Sequence, residues 1–264
     1  MEASWKYLAA ETRVREALVS QLVAMSPLGP HSASMAFTGF SKMKATWTSL
    51  PLAARKALED SLPAQVQGQG HGQATEQVVA NMIHSMGCMG ALHSTDLSRD
   101  SQDRLEAAFI AIAPSFTDQG LSNTLYGLAR MGFRFEDWPA RLQVSLEAAL
   151  FGDRPSSVLH MKDQSISNSI WSLGHGGALW SEEDEDKEEG DVHVHSSHRN
   201  RDRNTGARKY RLSAKNCLLL SKSVARNAPA MTEQGLSNTL FGLAKVRTHA
   251  MIDCIVLYCM KERK

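Results

Sequence analysis

One phrase of seven residues, QGLSNTL, occurs twice in this chain, at Gln119–Leu125 and at Gln234–Leu240. The first copy continues as YGLARMG and the second as FGLAKVR. A recurring phrase marks either a catalytic signature or a structural unit used several times. Weaker copies favour the unit: QVVANMIHSMG begins at Gln77 and QSISNSIWSLG at Gln164. The pairs Gln77/Asn81, Gln119/Asn123, Gln164/Asn168 and Gln234/Asn238 share one frame, and their asparagines are spaced by 42, 45 and 70 residues. The first two spacings fall in the range of helical solenoid repeats. The third is one unit plus an insertion of about 25 residues.

A more degenerate copy lies upstream. SMAFTGFSKM at Ser34–Met43 aligns without a gap to SNTLYGLARM at Ser122–Met131, which sets Pro51 on Pro139. LEAAF at Leu105 and LEAAL at Leu146 are related to one another, as are REALVSQL at Arg15 and RKALEDSL at Arg55. Each unit is therefore expected to have two parts, with the chain expected to begin in the second part of one.

Both parts read as helices. Leu121, Leu125, Leu128 and Met131 fall on one face of a 3.6-residue period. Thr117 or Asp118 is the candidate N-cap, and Gly132 the terminating C′ residue. A second helix is expected from EDWPARL, with Pro139 at its first position and Trp138, Leu142, Leu146 and Leu150 as its apolar stripe. Gly120 is unfavourable in a helix by about 1 kcal/mol against Ala, so close approach of a neighbouring helix is its expected reason. A single hairpin cannot bury its own apolar faces, whereas stacked copies can. The expected fold is all-α, an α-solenoid of stacked helical hairpins with a disordered charged insertion.

Opposite the leucines, a helical wheel sets Asn123, Tyr126, Gly127 and Arg130. The matching positions are Asn81, His84 and Cys88; Asn168, Trp171 and His175; and Asn238, Phe241 and Lys245. An amide, then a ring, then a base is chemistry suited to single-stranded RNA. Aromatic faces stack bases, amides pair with base edges, and cations meet phosphate. Structural duties compete with this reading, because Asn can cap or bridge repeats and rings can fill the groove between hairpins.

The phrases QGLSNTLYGLARMG, QGLSNTLFGLAK and QSISNSIWSLG resemble the core of octotricopeptide-like repeats, a family of organellar RNA-binding proteins often found with a RAP domain. The resemblance covers roughly residues 31–180 and a half-repeat at 231–245. It implies stacked helix pairs, single-stranded organellar RNA and other RNA-processing proteins as partners, and work in RNA processing, stability or translation in a mitochondrion or chloroplast. The copies here are longer than is usual in the family, few are intact, and no RAP domain is recognisable.

The remaining chain sharpens what is excluded. The net charge of +1 supplies no overall field for nucleic acid. No run of 18 apolar residues predicts a membrane span, and no transit peptide is evident at the N-terminus. Four scattered cysteines fit a reducing compartment better than a disulfide scaffold. No nucleophile is set beside a base and no acid pair is flanked for general acid–base work, so no enzyme and no cofactor are expected. GQGHGQAT at Gly68 lacks the Lys-Ser/Thr of a phosphate loop and reads as a link. His193, His195 and His198 do not make a zinc pattern.

Residues Glu182–Asp191 carry eight acids and Arg199–Arg211 six bases, with too little apolar content to offset ordering entropy. The expected division is therefore a repeat domain at 1–180, a disordered insertion at 181–211, and a partial repeat with an irregular C-terminus at 212–264. The competing function for the same architecture is a protein-interaction scaffold that binds no RNA.

Overall fold

The computed structural model describes residues 5, 12–63, 74–180 and 210–246. The chain divides into two compact units, Met1–Gly132 and Phe133–Lys264. The division expected at residue 180 thus falls inside the second unit. The first unit contains α1 (Thr12–Ala24), α2 (Pro30–Lys42), α3 (Leu52–Asp60), α4 (Glu76–Cys88), the single turn α5 (His93–Asp96), α6 (Arg99–Ile112) and α7 (Asp118–Arg130). The second contains α8 (Ala140–Phe151), α9 (Asp163–His175), α10 (Ala214–Asn227) and α11 (Glu233–Val246). β-Structure among the described residues is limited to a parallel bridge between β1 (Leu179–Trp180) and β2 (Arg211–Leu212). The all-α class expected from periodicity holds.

The helices begin and end where local chemistry directs. Thr117 Oγ1 accepts from the Gly120 amide at 3.0 Å, which settles the cap of α7 on Thr117. Thr75, Ser98 and Ser213 cap α4, α6 and α10 in the same way, each accepting from a backbone N–H three residues on. Such caps stabilise a helix by about 1 kcal/mol. Pro139 sits one place earlier than expected, at the N-cap of α8, and Pro51 occupies the same place before α3. Their φ is −55° at both sites, so the alignment of the two prolines carries through to the backbone.

The apolar stripes face inward as the periodicity predicts. Leu121, Leu125, Leu128 and Met131 are buried, and so are Trp138, Leu142, Leu146 and Leu150. Each fully buried leucine contributes roughly 1.5–3 kcal/mol relative to exposure.

A left-handed turn ends each of α2, α4, α7 and α9. Gly90, Gly132 and Gly177 have φ of 71°, 77° and 81°, and Lys44 takes the same place after α2 with φ 57°. Gly132 is thus the C′ residue expected from the sequence. Beyond these turns runs a ladder that no periodicity announces. The Trp5 amide donates to the Met43 carbonyl at 2.6 Å, Trp47 to Met89 at 2.8 Å and His93 to Met131 at 2.9 Å. In the second unit Phe135 donates to Gly176 at 2.9 Å. Each acceptor is the C-cap of a first helix, whose carbonyls lack intrahelical partners. Trp47, His93 and Phe135 each stand shortly after the preceding first helix, α2, α4 and α7 in turn. One backbone bond per step therefore ties a loop to the next helix end.

Successive first helices meet through glycine. A methyl group at Gly87 would lie 2.7 Å from the Gly127 Cα, and one at Gly127 would lie 2.8 Å from the His84 Cα. The second unit repeats the arrangement: a methyl at Gly174 would lie 2.8 Å from the Gly242 Cα, and one at Gly242 would lie 2.8 Å from the Trp171 nitrogen. These are backbone-to-backbone contacts of α4 with α7 and of α9 with α11. The structure corrects the helical wheel here, because Gly127 is buried between helices and does not belong to the displayed face. The close approach expected at Gly120 involves a side chain instead. Glu76 Oε1 fills the space that a Cβ there would need, while accepting from the Thr117 amide at 3.3 Å and hydroxyl at 3.1 Å.

The interrupted unit is whole beyond its insertion. Ser213–Gly235 aligns without a gap to Ser98–Gly120, and the structure supplies matching parts. α10 repeats α6, and a short 3-10 turn at Ala228–Ala230 repeats that at Ala113–Ser115. Each helix also holds the preceding loop through an arginine, though at different positions of the alignment: Arg104 of α6 donates to the carbonyls of Asp60 and Leu62, and Arg226 of α10 to those of Leu159 and Met161. The expected insertion 181–211 is also corrected at its end: Tyr210 is buried and Arg211 is paired in β2. Residues 181–209, the GQG segment at 68–70 and the C-terminus from 247 lie outside the described residues, as do His193, His195, His198, Cys254 and Cys259.

Replacing Gly127 by Ala should force α4 and α7 apart and destabilise the fold by about 2–3 kcal/mol, the upper range for overpacking. Gly39→Ala is the control, since nothing lies within 4 Å of a Cβ there. It should be neutral or stabilise by up to about 1 kcal/mol through helix propensity. Urea titration monitored by circular dichroism measures both.

Candidate nucleic-acid interface

The ring positions of the repeat sit on the exposed sides of the first helices, and the glycine contacts decide how near they come. Because Gly127 rests against the backbone at His84, the rings beside it are brought together. His84 and Tyr126 have centroids 5.7 Å apart with planes tilted by 31°. Arg130, one turn after Tyr126, lies with its guanidinium carbon 5.8 Å from the ring centroid and donates to the phenol oxygen at 3.3 Å. Cys88, one turn after His84, places its Sγ 3.5 Å from Nε2. Asn81 and Asn123 are half-buried, a turn earlier on the same helices. The first unit thus joins His84, Tyr126 and Arg130 in one cluster spanning α4 and α7.

The second unit has the same ordering within each helix. Trp171 and His175 of α9 stack with centroids 4.7 Å apart and planes 12° from parallel. On α11, Lys245 Nζ lies 5.6 Å from the Phe241 ring centroid. Asn168 and Asn238 are again half-buried, while His175, Phe241 and Lys245 are exposed. Three helices therefore hold a ring and a basic group as i,i+4 pairs, the spacing that places two side chains over each other. For Arg130 over Tyr126 and Lys245 over Phe241, cation–π attraction contributes about 0.5–1 kcal/mol at exposed sites and holds the cation over the ring face.

Arg130 is electrostatically distinct from its neighbours. Arg99, Arg104 and Arg134 are each paired with a carboxylate, those of Asp103, Asp100 and Glu136. Arg130 rests on the Tyr126 phenol, with no carboxylate bridged to it among the described residues. His84 is held neutral: burial lowers its pKa, the Asn123 backbone opposes this, and the Arg130 charge lowers it further. Burial also raises the Cys88 thiol, with Arg130 and the Ser41 side chain opposing, so the thiol stays protonated.

Thr38 and Lys42 of α2 were not singled out by the ring-and-amide pattern. The ungapped alignment of Ser34–Met43 with Ser122–Met131 sets them at the register of Tyr126 and Arg130. Ser41 of the same helix reaches Cys88, so α2 continues the row in the first unit, with a cation and no ring. Among the described residues no cluster of His, Cys, Asp or Glu could hold a metal ion, and no helix is long and apolar enough to cross a membrane.

Acid should weaken the first unit. His93 is held down to about 4, chiefly by burial and then by Arg99, against the pull of Asp103. His84 is lowered in the same direction. Both are neutral in the folded state at a pH where the unfolded chain, with a histidine pKa near 6.5, takes up protons. Unfolding therefore binds protons, and stability falls as pH drops from about 6.5 toward 4. Urea midpoints at pH 7 and pH 5 should differ, and His93→Gln should reduce the difference.

Set beside known protein families and characterised proteins, the chain matches no family model and no sequence.

Proposed function

We propose that this chain is an α-solenoid of helix pairs that binds single-stranded RNA along the first helices of each unit. The observation that carries the reading is the ring followed one turn later by a basic group, present as Tyr126–Arg130, Trp171–His175 and Phe241–Lys245. The repeat ladder and the glycine contacts within each unit support the stacked arrangement. Partly exposed rings offer faces for bases at about 1–3 kcal/mol each, and the cations beside Tyr126 and Phe241 meet phosphate. The half-buried asparagines stand where an amide can pair with a base edge. The resemblance to octotricopeptide-like proteins supplies the biological setting: transcripts of a mitochondrion or chloroplast, in processing, stability or translation.

The test is fluorescence anisotropy with a labelled single-stranded RNA pool at fixed salt. Tyr126→Ala combined with Arg130→Ala should weaken binding by about 10- to 100-fold, the loss of one stack and one phosphate contact. Far-ultraviolet circular dichroism should remain unchanged. Equal affinity of the variant and the native chain would overturn the RNA reading and leave the scaffold that binds proteins through the same helices.

A further inference from the structure

The same leucines of the repeated phrase meet opposite environments. In α7, Leu121 and Leu125 are 0% and 1% exposed, and their counterparts in α11, Leu236 and Leu240, are 45% and 58% exposed. The second helices show the same contrast. REALVSQL at Arg15, set on RKALEDSL at Arg55, places Val14 and Leu18 of α1 on Ala54 and Leu58 of α3. Ala54 and Leu58 are fully buried, whereas Val14 and Leu18 are 41% and 47% exposed. α11 is thus a first helix, and α1 a second helix, with core positions left exposed. Elsewhere the two kinds of helix meet: α2 packs on α3, α4 on α6, and α9 on α10.

The glycine seam is open on the same two sides. Gly127 rests on the backbone at Ile83 and His84, and Gly242 on that at Ile170 and Trp171. The repeat frame sets Leu240 and Phe241 of α11 at the places of Ile83 and His84, and Gly39 of α2 at the place of Gly127. Among the described residues nothing lies within 4 Å of a Cβ at Gly39. We propose that a second copy of this chain docks head to tail, with α11 of one copy against α1 and α2 of the next. α4 already holds that place in the first unit, packed on both α6 and α7. Gly39 then seats on the backbone at Leu240 and Phe241, and the exposed leucines of α11 are shielded together with Val14 and Leu18. Each face is one half of a helix pair and fits the other half, so the contact is heterologous and adds copies end to end. The inference is independent of RNA binding.

Sedimentation velocity of the full chain, free of RNA, tests it. The native chain should sediment faster as its concentration rises. Leu240→Asp and Leu18→Asp each put a charge on one face, at a position exposed in the single chain. Each variant alone should stay a single chain. An equal mixture of the two should give a species of two chains, because one variant supplies an intact α1 and the other an intact α11. A native chain that stays single, a variant that associates as the native chain does, or a mixture that does not pair would overturn the proposal, the two faces then being met in another way. Gly39→Ala provides the second measurement, since its methyl group meets nothing within 4 Å in the single chain. It should weaken association about tenfold by overpacking the seam, and unchanged association would also overturn the proposal.

Discussion

Four glycines set the distance on which the rest of each unit depends. Gly87 against Gly127, and Gly174 against Gly242, let the backbones of successive first helices touch. Any side chain at those positions would separate the helices and, with them, the residues carried alongside. The hydroxyl residues around the contact follow the same constraint. Ser85, Ser122 and Thr124 in the first unit, and Ser167, Ser169 and Ser172 in the second, are buried and small. The Thr124, Ser122, Ser167 and Ser172 hydroxyls donate to carbonyls of their own helices, so close packing leaves those groups satisfied. The 5.7 Å separation of His84 and Tyr126 is a product of this packing.

The backbone ladder explains how the architecture tolerates irregular connections. Its donors and acceptors are main-chain groups, so Trp5, Trp47, His93 and Phe135 occupy one role with four different local sequences. The left-handed turns that precede it need only a residue tolerating positive φ, and Lys44 does so where its counterparts are glycine. The charged insertion leaves between such a turn and a second helix. The parallel bridge of Leu179 with Arg211 and Trp180 with Leu212 brings its two ends back together. α10 then resumes the repeat with its Ser213 cap, its arginine clasp on Leu159 and Met161, and its 3-10 turn.

Much of each helix was legible from residue types alone. The leucine stripes, the Thr117 cap and the Gly132 stop each rest on local rules, and the structure bears them out. The candidate cluster was legible as positions and not as geometry. A helical wheel gives the direction of Gly127 but not the distance to the next helix, so it set a packing residue among the displayed ones. The completeness of the unit around α10 was hidden for a different reason. Its two halves are separated by the insertion, and Ser213–Met231 shares few residue identities with Ser98–Phe116 before the matching phrase begins.

By itself, the sequence determined the elements: where helices start, which face is apolar, and that the unit recurs. These depend on neighbours within one or two turns, which are the same wherever a phrase appears. Only the tertiary structure decided what each copy does with its faces. QGLSNTL buries Leu121 and Leu125 but exposes Leu236 and Leu240, although the seven residues are identical. Burial and ring contacts depend on groups brought from elsewhere in the chain, and a phrase of seven residues carries no record of them.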